Sequence, residues 1–372
     1  MLRQLRNFST ARVFLAAPRT GVLMMNMGGP QTLGEVEGFL TKLFADKDII
    51  DMPLQRFLGP MIARRRTPKV QKKYEEIGGG SPIYKYTQKQ GDLMVELLDS
   101  MSPSSAPHKA YVGFRYASPF SSDALDQIKK DGVKRVVAFS QYPQYSCCTT
   151  GSSLNQLQRE VNGDPELSDV QWSFIDRWSL NEGLIDAFVE SIENEAKKIP
   201  KEQLDELVLV FTAHSLPLKI VARGDTYPSE VGATVLAVMK KLKHRYPHRL
   251  VWQSKVGPVP WLAPKTDEAI KGFASRGRNT LMMVPISFVN EHIETLHELD
   301  IEYGDDLAKE LKLEKIYRAE APNFNKHFIR GLADEVKNHL DSNIRVSPQL
   351  GMRCPHCVNP ECIKLRHWLR KC

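Results

Sequence analysis

Long apolar runs are missing from this 372-residue chain. Stretches such as 207–211 fall far short of the roughly 18 residues needed to span a bilayer, so any membrane is met from one side. Acidic residues are absent before Glu35, whereas Arg3, Arg6, Arg12 and Arg19 all lie in that opening segment. Without those four arginines the formal charge of +7 falls to +3 (7 − 4). The positive balance therefore belongs to the terminus, and no nucleic-acid partner is expected. An acid-free, Arg-rich start with Ser and Thr has the composition of a mitochondrial presequence, expected over residues 1–19. Cysteine is scarce, six in all, and in a mitochondrial matrix these are thiols or metal ligands rather than disulfides. Nucleotide signatures are missing as well. Met27-Gly28-Gly29-Pro30 and Gly78-Gly79-Gly80-Ser81-Pro82 have neither the Lys-Ser/Thr ending of a P-loop nor the GxGxxG register of a dinucleotide fold. Glycines closing a first strand instead let backbone approach a bulky ligand. No internal repeat or low-complexity tract is present.

What the chain does have is a soluble globular composition, 42% apolar and 26% charged, with strand-like runs alternating with amphipathic helical stretches. That alternation predicts parallel sheets joined by crossover helices. Strands are expected at 20–27, 109–114, 134–140, 171–175, 206–213, 249–254, 280–285 and 315–317. They divide into two doubly wound four-stranded sheets of the α/β class, with domains expected at 20–177 and 178–345 and a cysteine-rich extension at 346–372. A ligand cleft belongs between the halves, outside the carboxyl ends of the strands. Residues 39–66 break the alternation: they carry too many apolar faces for a simple crossover, are punctuated by Pro53 and Pro60, and close on Arg64-Arg65-Arg66. They read equally as a helix packed on the core or as a lip dipping into a lipid leaflet with arginines at the phosphates.

Residues 290–302 set Glu294, Glu298 and Glu302 four apart, with His292 and His297 interleaved. On an α-helix this stacks three carboxylates on one face, where like charges repel unless something cationic or protonic occupies the ridge; the plainer reading is a solvated face. The run 207–213 delivers His214 where open α/β sheets keep their ligands. Near neutrality by intrinsic pKa, His214 is the candidate proton acceptor or metal ligand. In the tail, Cys354-x-x-Cys357-x4-Cys362 supplies three thiolates for one metal centre. Zinc or a two-iron, two-sulfur cluster needs a fourth ligand, with Cys147, Cys148, His356 and Cys372 as candidates. Cys147 is favoured, which would staple the tail to the first half of the fold. Tyr74, Tyr116, Tyr142 and Trp261 offer aromatic faces for a flat apolar slot, although each alone reads as an ordinary core residue. Arg115 is placed to pair with a ligand carboxylate. Trp178 and Trp252 are assigned to the core, and 149–153 to a helix cap.

Taken together, these motifs make the chain resemble the ferrochelatase family, from about residue 20 to the tail cysteines. The resemblance is carried by Asn26-Met27-Gly28-Gly29-Pro30, 77–82, Gly113-Phe114-Arg115-Tyr116, 141–147, His214-Ser215-Leu216-Pro217, 252–258 and the acidic ridge. It implies a chelatase fold, akin to the periplasmic binding proteins, and insertion of ferrous iron into protoporphyrin IX to form haem. It also implies a homodimer on the matrix face of the mitochondrial inner membrane, served by an iron-donor protein, with 39–66 as the lip of the porphyrin entrance. Cys147, Cys354, Cys357 and Cys362 then match a two-iron, two-sulfur (2Fe-2S) centre, Cys148 being the alternative fourth ligand. His214, His292, Glu294 and Glu298 become the catalytic candidates, with Glu302 continuing an iron or proton path and Asp267 assisting. Met27, Tyr74 and Tyr116 would press on the macrocycle, and Arg115 or Arg65 would hold a propionate. His297 stands where relatives commonly have an aromatic residue. The competing expectations are a two-lobed tetrapyrrole or metal carrier without chemistry, and a tail that is a zinc-stabilised interaction module.

Overall fold

A computed structural model of the chain describes residues 19–50 and 52–372; the expected presequence, apart from Arg19, lies outside them. The described residues form two parallel four-stranded sheets. β1 (Thr20–Asn26), β2 (His108–Phe114), β3 (Arg135–Ser140) and β4 (Gln171–Ile175) pair in the order β2-β1-β3-β4. β5 (Val208–His214), β6 (His248–Gln253), β7 (Leu281–Pro285) and β8 (Ile316–Arg318) repeat that order as β6-β5-β7-β8. All eight lie within two residues of the expected positions. β1 shows why they were legible: each of its seven residues is buried, because helices cover both faces of a parallel sheet, and its centre is accordingly the unbroken apolar run 22–25.

The order reverses between β1 and β3 in one sheet and between β5 and β7 in the other, so each sheet has a switch point at the carboxyl ends of those strands. Met27 and Tyr142 emerge at the first, and His214 and the segment after Pro285 at the second. A single core runs through both sheets, from Val22, Met24 and Phe139 through Trp178, Phe188 and Phe328 to Leu209, Phe211 and Val284. Trp178 is central to it. Its indole N–H donates to the Ser140 carbonyl at 2.8 Å, and its ring meets Phe139 edge-on at 5.5 Å and Phe328 at 6.1 Å.

Several local expectations change. Pro60 does not punctuate the 39–66 segment: helices occupy Val36–Ala45 and Gln55–Glu76, and Pro60 and Pro68 both lie inside the second. The cap expected at 149–153 is displaced, because Cys147–Gly151 already winds as a π-type turn into the helix Ser152–Asn162 and the capping side chain is Ser146, which accepts from the Cys148 N–H. Gly28 (φ 77°) serves packing rather than ligand approach, since a Cβ there would lie 2.8 Å from the Phe114 side chain. The tail helix Glu361–Leu369 seats Trp368 against Trp172 and Phe174 of β4, so apolar packing already holds the tail to the first half. No helix among the described residues is long and apolar enough to cross a membrane.

Candidate active site

β5 ends on His214, half-buried beside Trp261 with ring centroids 6.3 Å apart. Its Nδ1 lies 2.6 Å from the Ser215 carbonyl oxygen, an atom that only accepts, so Nδ1 carries the proton and Nε2 keeps its lone pair. His292 is oriented the same way, Nδ1 donating to the Asn290 carbonyl at 3.1 Å while its ring lies 4.7 Å from Phe288.

The acidic ridge is not an α-helix. Glu294–Leu307 winds as a π-helix, a form that is rare and concentrates at functional sites. Arg318 at the end of β8 clamps it from one side, bonding Glu291 at 2.9 Å and Asp300 at 2.7 Å. The three glutamates consequently do not form the even row expected of an α-helix. Glu294 and Glu298 make a pair, both reaching the Ser254 hydroxyl. Glu298 also accepts from the Ser254 N–H at 2.9 Å and the Tyr303 hydroxyl at 3.0 Å. Burial and the neighbouring Glu294 charge hold Glu298 above the usual carboxylate range, against the opposing pull of Ser254, Tyr303 and His214. Glu302 stands apart, 2.5 Å from Lys73 and 3.4 Å from His297 Nδ1. His297 Nε2 lies 2.7 Å from Glu76.

The last turn of the helix Gln55–Glu76 thus closes over the outer end of the ridge with Lys73 and Glu76, while between them Tyr74 is buried and senses Glu294. Burial first, then that charge, keeps the Tyr74 hydroxyl protonated. Asp267, half-buried on the helix Thr266–Ala274, acts on Tyr303 from the far side.

At the first switch point the Tyr142 hydroxyl donates to Asn26 Oδ1 at 3.1 Å and accepts from the Met27 N–H at 2.9 Å. Arg115 corrects an expectation. Its guanidinium is bound by Asp46, Asp48 and the Ser152 carbonyl, and only 6% of its side chain is exposed. Four of its five N–H groups are already engaged and the side chain is buried, which leaves little for a ligand carboxylate. Tyr116 is likewise buried, its hydroxyl given to Asp46. Arg65 is exposed on the lip helix and bonds to none of the described residues.

Residues 19–340 match the family model described as ferrochelatase. Mitochondrial ferrochelatases of Bos taurus, Homo sapiens and Drosophila melanogaster are 56%, 54% and 53% identical to this chain. The alignments cover 93%, 93% and 95% of it and 83%, 82% and 92% of the relatives. The chain belongs to the ferrochelatase family. It is an enzyme, a mitochondrial ferro-lyase that inserts iron into protoporphyrin in the last step of haem synthesis, and the carrier reading is set aside. Among solved structures, SirB of Bacillus subtilis with Fe3+ aligns with TM-score 0.50 at 11% identity over 88% of this chain and 99% of its own, a likeness of chelatase fold alone.

Away from the cleft, Cys147, Cys354, Cys357 and Cys362 of the enzyme line one cavity of about 500 Å³. Cys148 is buried in the apolar core against which Cys147 also packs, and does not line the cavity. Among the described residues no three Cys, His or acidic side chains close on one point where a single ion would sit; the thiols surround the cavity. Arg366 also lines it, 7% exposed, with Nε and Nη1 buried and unpartnered.

Ser254, Tyr303, Lys73 and Asp46 went unassigned in the sequence. Ser254 had a usable signal, a polar residue directly after a strand, the same logic that found His214. Tyr303 reaches Glu298 five residues away on the same helix, a pairing hidden while an α-helix was expected, and Lys73 and Asp46 act across the fold and leave no local pattern.

Proposed function

We propose that His214 accepts the pyrrole protons as iron enters the macrocycle and that the Glu294–Glu298 pair passes them on. Two N–H protons must leave for each metal inserted. The Nδ1–H of His214 is spent on Ser215, so the open Nε2 is the basic atom offered to the cleft. Glu298 carries the reading: His214 senses it, burial and Glu294 raise it, and a carboxyl in that state accepts a proton readily. Its bonds to Ser254 and Tyr303, and through Tyr303 the influence of Asp267 and Glu302, extend the route outward. Imidazole and carboxylate donors also suit a borderline divalent cation, so His214, Glu294 and Glu298, with Glu302 beyond them, also offer a path for iron. Met27, Tyr74, Tyr142 and Trp261 would line the porphyrin, with Arg65 at a propionate. Arg115 and Tyr116 hold the wall behind it.

The tail thiols are proposed to hold a 2Fe-2S centre. Cys147, Cys354, Cys357 and Cys362 would hold it as thiolate ligands, and the buried Arg366 guanidinium, with two unpaired donors beside the same cavity, would complement the negative charge such a centre carries. The exposed Leu54, Phe57 and Met61 beside Arg64, Arg65 and Arg66 support contact of the lip with the matrix face of the inner membrane. A homodimer and delivery of iron by a donor protein complete the proposal on family kinship.

The test is His214→Ala assayed with zinc and protoporphyrin. In the wild type metalloporphyrin fluorescence grows well beyond one equivalent of enzyme. The variant is expected to bind porphyrin with little change and to lose turnover by about 10² or more; wild-type turnover would remove His214 from the mechanism.

A further inference from the structure

The loop between the helices Val36–Ala45 and Gln55–Glu76 touches both the cleft and the cysteine cavity. Asp46 and Asp48 both line the cysteine cavity, and Asp46 accepts from Arg115 Nε at 2.7 Å and from Tyr116. Arg115 and Tyr116 in turn donate their backbone N–H groups, each at 3.0 Å, to the carbonyls of Asn26 and Met27. Asp48, two residues on, is 6% exposed in its side chain and shares Arg115 with Asp46. One of its oxygens accepts from Arg115 at 3.5 Å and from Asn155 at 3.2 Å; the second accepts from Asn359. Asn359 lies between Cys357 and Cys362 and accepts from the Glu361 N–H at 2.9 Å, where the tail helix begins. Asn155 reaches Cys362 Sγ at 3.9 Å. Asp48 is therefore a buried carboxylate whose partners come from both centres.

We propose that Asp48 is a positioning residue that couples the cysteine centre to porphyrin binding. The inference rests on the 2Fe-2S reading and adds to it a route. With the thiols held by their centre, the 354–362 loop is fixed and presents Asn359 to Asp48. Asp48 and Asp46 then lock Arg115, and Arg115 and Tyr116 fix the backbone at Asn26 and Met27, where the porphyrin is received. When the thiols lose their centre, Asn359 withdraws, and Asp48 is left buried with part of its hydrogen bonding gone, an arrangement that is costly unless the loop moves. Because the same loop leads into the lip helix, the effect appears as weaker porphyrin binding rather than a changed chemical step.

Coupling of this kind has a measurable factor: the ratio of protoporphyrin dissociation constants between protein stripped of its centre by chelation and protein that retains it. Porphyrin fluorescence gives the constants, while visible absorption and electron paramagnetic resonance of the reduced protein give the cluster content. In the wild type the ratio is expected to be about 5 or more. In Asn359→Ala, with its cluster spectrum kept, the ratio should collapse toward 1 because the joint is cut on the tail side. Asp48→Ala should do the same; if that variant fails to load, Asn359→Ala carries the result alone. A wild-type ratio of 1, or equal ratios in wild type and Asn359→Ala, overturns the proposal. A colourless wild type without a two-iron signal overturns the underlying cluster reading, and is told apart by that spectrum.

Discussion

Ser254 holds a left-handed backbone conformation, φ 64°, directly after β6, a position non-glycine residues adopt only when their surroundings enforce it. What enforces it is Glu298, which takes both the backbone N–H and the hydroxyl of Ser254. Those bonds favour the ionised carboxylate and so oppose the burial and the Glu294 charge that raise its pKa. Removing the hydroxyl must push Glu298 up further. If ionised Glu298 is the form that receives the proton, the acidic limb of the pH–kcat profile belongs to it. Ser254→Ala should then move that limb to higher pH, with turnover restored on the alkaline side, whereas Glu298→Gln should lower kcat by about 10² at all pH values. A limb that stays in place in Ser254→Ala would assign it to another group. His214 was legible because a histidine at the end of an apolar strand is a local pattern. The restraint on Glu298 was not, since it joins residues more than forty apart in sequence. Arg115 was misread for a related reason: a lone arginine after a strand looks free until the fold brings Asp46 to it.

At the scale of elements, the strands were legible because buried parallel strands carry continuous apolar runs, as in 22–25 of β1 and throughout β7. The ridge was expected as an α-helix and winds as a π-helix instead, because no local side-chain pattern tells an i→i+4 from an i→i+5 hydrogen-bond register. The lip helix was expected to be interrupted at Pro60 and to close at Arg66; packing of Ala63 and Tyr74 into the cluster with Val36, Leu40 and Phe44 offsets what Pro60 and Pro68 disrupt and carries the helix on to Glu76. Its outward side carries Leu54, Phe57 and Met61, exposed by 72%, 73% and 61%. Each gives about 1.5–3 kcal/mol when moved from water into lipid. Replacing Phe57 and Met61 by Ser should reduce binding to anionic phospholipid vesicles at least tenfold. Turnover of porphyrin dissolved in detergent should stay near wild type. Vesicle binding unchanged in that double variant would place the membrane face elsewhere.

For the whole molecule the question is whether two sheets with the same strand order behave as two units. The shared core through Trp178 and Phe328 argues for one, and the helix Lys326–Asp341 extends that joint to the far side of the first sheet. There the Leu340 carbonyl meets Arg135 of β3 at 3.5 Å. His339, beside it, has Nε2 buried without a partner. Burial, then the Arg135 charge, push this histidine down to about 4 from its ordinary 6.5, against a smaller opposing effect of Asp176. The sign follows from which state binds the proton. At pH 7 His339 is neutral folded or unfolded and costs nothing. As pH falls below 6.5 the unfolded chain takes up a proton that the native state refuses until about 4, so stability is lost across that window and not below it. At about 1.4 kcal/mol per unit, roughly 2 kcal/mol should disappear between pH 6.5 and 5. Urea unfolding of the wild type and of His339→Leu at pH 7 and pH 5 checks this: the acid-induced loss should be smaller in the variant by about that amount. If the helix ties the halves as the core indicates, tryptophan fluorescence and far-ultraviolet dichroism should give coincident transitions at both pH values. Equal acid-induced losses in the two proteins would show that His339 reaches solvent before the joint opens.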